Sequence, residues 1–115
     1  MKILIADDHD LLRDTLVAFL EAEDGIATDT ASSFFEACDL MEAEHGYNLV
    51  LLDWKMPGMS GLDSLQKALG MPGNPRVALI SGEASREVAE QALALGAAGF
   101  VPKTLPAKSL VNAIK

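Results

Sequence analysis

Five side chains stand where a short apolar run gives way to a polar turn. Asp7 and Asp8 follow the run Ile3 to Ala6, and Asp53 ends the run that begins at Leu49. Ser81 follows Val77 to Ile80, and Lys103 comes shortly after Ala98 to Val101. In an open parallel sheet, ligands bind beyond the carboxyl ends of the strands. If these runs are strands of one such sheet, three acids, a hydroxyl and an amine converge on one edge. Three carboxylates at close range repel unless a cation lies between them. Oxygen donors in a hydrated set favour Mg2+ over zinc, and no Cys/His spacing in the chain suits zinc. A carboxylate at a strand end can act as a nucleophile and form an aspartyl phosphate. Asp53 has that position, in Asp53-Trp54-Lys55-Met56-Pro57-Gly58, where the strand breaks into a turn at Pro57-Gly58. The cation and the Lys103 ammonium would neutralise the added charge while the Ser81 hydroxyl donates a hydrogen bond. Gly82 leaves room for the phosphodonor.

Each of these residues alone has an ordinary explanation. Asp7 and Asp8 would make a solvated turn with Asp10 as a helix cap, Lys103 a surface lysine, Ser81 a turn residue and Phe100 a core aromatic. It is their order along one chain that makes the set specific. His9 sits beside the acids but is read as a bystander, because aspartyl phosphate chemistry needs no base from the protein. His45 has no evident role.

The elements that must position this set follow from the apolar pattern. Four runs of about four apolar residues, without polar alternation, predict strands buried on both faces. Ile26 to Thr30 alternates and is more polar, which predicts an edge strand. Residues 11–22 put Leu12, Leu16, Phe19 and Leu20 on one helical stripe. Ser33 and Glu36 have capping-box spacing before Phe34, Ala37, Cys38 and Met41. Ser60 with Asp63 opens a short helix. Ser85 caps a helix carrying Val88, Ala92 and Leu95, which Gly96 ends. Residues 106–115 make a last amphipathic piece. Strand and helix alternate five times, which predicts a three-layer α/β domain.

The set Asp7-Asp8, Asp53, Ser81, Phe100 and Lys103 resembles the receiver domain of two-component response regulators. The stretch Asp53-Trp54-Lys55-Met56-Pro57-Gly58-Met59-Ser60-Gly61-Leu62 is especially similar, and the likeness covers essentially the whole chain. The resemblance implies a flavodoxin-like (βα)5 sandwich with parallel strand order 2-1-3-4-5. It implies that Asp53 takes a phosphoryl group from a sensor histidine kinase or phosphotransfer protein. Asp8, Asp53 and the Lys55 backbone carbonyl would bind Mg2+ directly, and Asp7 through water. Ser81 and Phe100 match the switch pair, the hydroxyl moving toward the phosphate as the ring turns inward. Lys55 and Glu83 flank the site where family members vary, and are expected to tune the removal of phosphate by water. The readout face would be the fourth helix, fifth strand and fifth helix, roughly residues 86–115. Members of the family often dimerise through that face; a homodimer there, or through the first and fifth helices, is an option that the resemblance leaves open. Asp7-Asp8-His9 and Gly96-Ala97-Ala98-Gly99-Phe100 resemble NarL/FixJ (LuxR-type) regulators, which carry a C-terminal helix-turn-helix and control transcription.

Some positions depart from the family pattern. Thr104, not proline, follows Lys103, and Pro102 precedes it. Ser81 replaces the commoner threonine, keeping the hydroxyl. A hydrolase of the haloacid dehalogenase type also uses a strand-end aspartate, a hydroxyl and a lysine, and Asp8-His9-Asp10 mimics its opening motif. Leu12 stands where its threonine belongs, however, and no acid follows Lys103. A flavin site would need a Ser/Thr/Gly-rich phosphate loop after the first strand, which is lacking. A stand-alone receiver and a phosphorylation-independent scaffold are the remaining alternatives.

Composition sets the outer limits. The 115 residues suit a single domain, residues 1–115. The last expected helix is short, so the chain reads as an N-terminal fragment of a protein with an output domain. Lys plus Arg is 9 against 17 for Asp plus Glu, a formal charge of −8. That balance opposes direct nucleic-acid binding and an anionic membrane surface. No apolar run approaches the ~18 residues of a membrane helix. The single cysteine, Cys38, is expected in a helix core and suits a reducing cytoplasm.

Overall fold

Unbroken apolar runs can be buried on both sides only in the middle of a sheet with helices over each face. The computed structural model has this arrangement, and it describes residues 2–23, 25–43, 46–71, 75–82 and 86–102. The elements are β1 (Lys2–Ala6), α1 (Asp10–Glu21), β2 (Ala27–Ala31), α2 (Phe34–Ala43), β3 (Leu49–Asp53), α3 (Leu62–Leu69), β4 (Arg76–Ser81), α4 (Arg86–Leu95) and β5 (Gly99–Pro102). The sheet order is β2-β1-β3-β4-β5 and every pairing is parallel. The predicted edge strand is β2, and the expected order 2-1-3-4-5 holds. The helix expected over 106–115 lies outside the described residues.

Successive strand residues point to opposite faces, so the three inner strands feed two cores. Leu4, Ala6, Val50, Leu52, Val77 and Leu79 face α2, α3 and α4. Ile3, Ile5, Leu49, Leu51, Ala78 and Ile80 face α1, where Leu16 and Leu20 cover them. Phe34, Ala37, Cys38 and Met41 are buried on α2, as their spacing predicts. Burial pushes the Cys38 thiol above its ordinary pKa.

Two apolar positions do not go inward as expected. Phe19 is 43% exposed and Leu95 37%. The buried stripe of α1 is centred between Leu16 and Leu20. Phe19 lies about 80° around the axis from that centre, so its ring reaches water. Leu95 is the last residue of α4, in which Ala92 is the one buried side chain.

The helix ends follow the local chemistry. Ser33 caps α2, its Oγ accepting the Glu36 N–H at 3.1 Å. The returning half of the capping box is absent, because the Glu36 carboxylate turns to the Ser32 hydroxyl, 3.5 Å away. The expected Ser60 cap of α3 is not formed. Gly61 takes the cap position at φ +62°, and the Ser60 N–H donates to Ser64 Oγ at 2.7 Å. Gly96 closes α4 as expected: the next residue, Ala97, donates its N–H to the Ala92 carbonyl at 3.1 Å. Ser85 lies outside the described residues.

The turn after β3 is held against α2, since Phe34 donates its N–H to the Pro57 carbonyl at 2.8 Å. The next residue, Gly58, has φ +87°, and a Cβ there would lie 3.2 Å from Phe34 Cβ and 2.9 Å from Phe35 Cε2. Gly58→Ala is therefore expected to destabilise the fold by about 1–3 kcal/mol. Denaturant unfolding measures this, and an unchanged midpoint would contradict it.

Candidate functional site

The carboxyl ends of β1, β3 and β4 lie side by side, and the polar residues found there are the ones the sequence points to. Asp7 directly follows β1 and is fully buried. Its N–H donates to the Ala31 carbonyl at 3.0 Å, which ties it to the edge strand. Its Oδ1 accepts the His9 N–H at 2.8 Å, folding the chain into a tight turn before α1. Arg13 locks that turn from the helix. One guanidinium nitrogen donates to the Asp7 carbonyl at 2.9 Å and the other to Asp10 Oδ1 at 2.7 Å. His9, not Asp10, holds the cap position of α1.

Asp53 ends β3, the central strand, and is 2% exposed. The Lys55 N–H donates to Asp53 Oδ1 at 3.3 Å, which brings the Lys55 backbone up to the carboxylate while its side chain stays exposed. Asp8 is more open, with a side chain 39% exposed. Oxygens of Asp7, Asp8 and Asp53 and a ring nitrogen of His9 all lie within 4.8 Å of one another. That spread fits the donor set of a single small cation. Asp53 ends β3 while Asp7 and Asp8 follow the end of β1 beside it, so the sheet itself enforces their approach.

Ser81 ends β4 and is buried. Asp53 pairs with Ile80, so Ser81 is one residue beyond it on the neighbouring strand. Phe100 lies in β5 opposite Leu79, partly buried against the core that holds α2 to α4. Lys103, Glu83 and Thr104 lie outside the described residues, as does His45.

Sequence reasoning read His9 as a bystander and passed over Arg13. His9 Nδ1 is 3.1 Å from Asp7 Oδ1, 3.4 Å from Asp8 Oδ1 and 3.7 Å from Asp53 Oδ2. Its type and position did not reveal that its ring folds back into the acids. Arg13 was legible in principle, because Asp10 and Arg13 are three apart on a helix and must neighbour each other.

The sequence profile of the response regulator receiver domain matches residues 3–115. The chain belongs to that family. The receiver is 37% identical over 122 residues to the glycerol metabolism activator of Pseudomonas putida, an alignment covering 99% of this chain and 52% of that protein. It spans about half the length of most of the curated relatives it matches. The receiver domain of NarL from Mycobacterium tuberculosis superposes with a TM-score of 0.80 at 30% identity, covering 98% of this chain and 91% of that one. This likeness agrees with the NarL-type features of the sequence. A response regulator from Burkholderia pseudomallei superposes with a TM-score of 0.84 at 27% identity, covering 99% of this receiver and 66% of that chain. The structure of that protein contains a phosphorylated aspartic acid, a calcium ion and citrate. Membership in a signalling family sets aside the dehalogenase and flavin readings.

Proposed function

We propose that this receiver is a phosphorylation switch with Asp53 as its acceptor. The observation that carries this reading is the placement of Asp53. It is a nearly buried carboxylate at the end of the central strand, grouped with two further acids. One Asp53 oxygen attacks the phosphorus of a phosphohistidine on a sensor kinase or phosphotransfer protein, and the histidine nitrogen leaves. The donor set, made of carboxylates with a backbone carbonyl nearby, suits Mg2+. Asp8, Asp53 and the Lys55 carbonyl would hold it directly and Asp7 through water. When bound, the cation neutralises charge on the transferring group. Ser81 donates its hydroxyl proton to a phosphoryl oxygen, and Lys103 pairs with another. Lys55 and Glu83 tune hydrolysis.

Phosphate on Asp53 favours one of two arrangements of Ser81 and Phe100, and so shifts an equilibrium already present. The ring of Phe100 supports this, because it is only partly buried against the core and a turn inward would bury it further. Residues 86–115 would carry the change to an output beyond this domain, transcription by a helix-turn-helix, with a homodimer as one readout. With a charge of −8, the domain itself would not hold DNA. Exchange with a sensor kinase places it in the cytoplasm.

Trp54, the only tryptophan and the neighbour of Asp53, reports the site. Its fluorescence is expected to change saturably with Mg2+ and again with beryllofluoride, which mimics a phosphoryl group on aspartate. A folded protein that responds to neither at millimolar Mg2+ would be a scaffold. Phe100→Ala is expected to keep the beryllofluoride response at Trp54 and to lose the change over residues 86–102, read by hydrogen exchange. An unchanged exchange response would remove Phe100 from the switch.

A further inference from the structure

Four donor atoms meet at the acid site, and one of them is nitrogen. In an octahedron with bonds of about 2.1 Å, neighbouring donors lie about 3 Å apart and opposite ones about 4.2 Å apart. His9 Nδ1 stands 3.1, 3.4 and 3.7 Å from oxygens of Asp7, Asp8 and Asp53. The 3.1 Å contact with Asp7 is the length of a hydrogen bond, while the 3.4 and 3.7 Å to Asp8 and Asp53, the two carboxylates that would hold the ion directly, fall between the neighbouring and opposite values. The His9 N–H bond to Asp7 Oδ1 and the place of His9 at the cap position of α1 bring the ring to the acids, and Nδ1 meets Asp7 Oδ1 at hydrogen-bond distance. In the tautomer with its proton on Nε2, the imidazole turns its Nδ1 lone pair toward the point that Asp8 and Asp53 face, and an ion there replaces the Nδ1 hydrogen bond to Asp7.

We propose that His9 is a metal-selecting ligand: it adds an imidazole nitrogen to the cation site of Asp7, Asp8 and Asp53 and turns its preference from Mg2+ toward Mn2+, Co2+ and Ni2+. This rests on the reading of that site as a cation site. Mg2+ gains little from nitrogen and keeps its waters. Later first-row ions bind imidazole increasingly well along the Irving–Williams order. The selection is thus made by one residue at the mouth of the site, while the buried acids serve every divalent ion alike.

The test uses the untagged chain, metal-free at the start, in wild-type and His9→Ala forms. The His9 side chain is 63% exposed, and alanine keeps the backbone N–H bonded to Asp7, so the fold is retained. Calorimetric titrations with MgCl2 and CoCl2 are compared, and pulsed EPR is recorded on the Mn2+-loaded protein. His9→Ala is expected to lower Co2+ affinity by about tenfold and to change Mg2+ affinity by less than about threefold. Nitrogen coupling to Mn2+ is expected in the wild type and absent from the variant. Equal changes for both ions, tighter binding of both in the variant, or no nitrogen coupling in the wild type would overturn the proposal and leave the cation site standing. A wild type that binds neither ion would overturn the cation site itself.

Discussion

Asp53→Asn is expected to abolish the beryllofluoride response of Trp54 completely while leaving the fold intact. Asparagine has nearly the shape of aspartate, and its carbonyl oxygen can still accept the Lys55 N–H now bonded at 3.3 Å. What it lacks is the anionic oxygen that would bond to beryllium or phosphorus. The substitution also removes one of three carboxylates held within 4.8 Å of one another. In metal-free buffer their mutual repulsion opposes folding. The variant should therefore melt no lower than the wild type without metal, and a few degrees higher where the repulsion is strong. The two results together separate chemistry from structure. A variant that keeps the full beryllofluoride response would place the acceptor elsewhere, and one that melts markedly lower would make Asp53 a structural group.

The second large effect lies one residue earlier. Leu52 is fully buried in β3, facing α2 and α3, and precedes the acceptor. Leu52→Ala removes its apolar contacts and leaves a cavity that a sheet hydrogen-bonded on both sides cannot close. The expected cost is about 2–5 kcal/mol. Domains of this size have a total stability of only about 5–15 kcal/mol. The urea midpoint should fall accordingly with an unchanged slope. Leu11, 83% exposed on α1, is the matched control, and Leu11→Ala should stay within about 0.5 kcal/mol of the wild type. A Leu52→Ala cost near that of the control would mean that the sheet interior is not packed as described.

Much of this architecture is legible in the sequence because burial on both faces leaves a plain record. Leu49 to Leu52 and Val77 to Ile80 are unbroken apolar runs, and they become the inner strands β3 and β4. β2 reads as an edge because Ile26 to Thr30 alternates and is more polar, and in the fold only Ala31 of β2 is buried. The acids were legible for a topological reason: every parallel strand delivers its last residue to the same edge. Asp7, Asp53 and Ser81 needed no side-chain detail to be brought together.

What the sequence hides depends on side-chain direction and local backbone angles. Phe19 has the right period for the core, yet sits at the margin of the buried stripe. Ser60 has the right spacing for a cap, but Gly61 turns the chain one residue later and Ser64 takes the bond. His9 has no periodic signature at all. Its ring reaches the acids because its own N–H is bonded to Asp7, and that turn has no pattern in residue types.

The central claim is that Asp53 carries the phosphoryl group. The direct measurement is to load the wild-type chain with Mg2+ and a small-molecule phosphodonor such as acetyl phosphate, then reduce the acyl phosphate with borohydride and map the product by mass spectrometry. The account predicts a single modified aspartate, in the peptide containing Asp53, and no modification when Mg2+ is withheld by chelation. A phosphoryl group trapped at Asp7 or Asp8, or none on a folded, Mg2+-loaded protein, would contradict it.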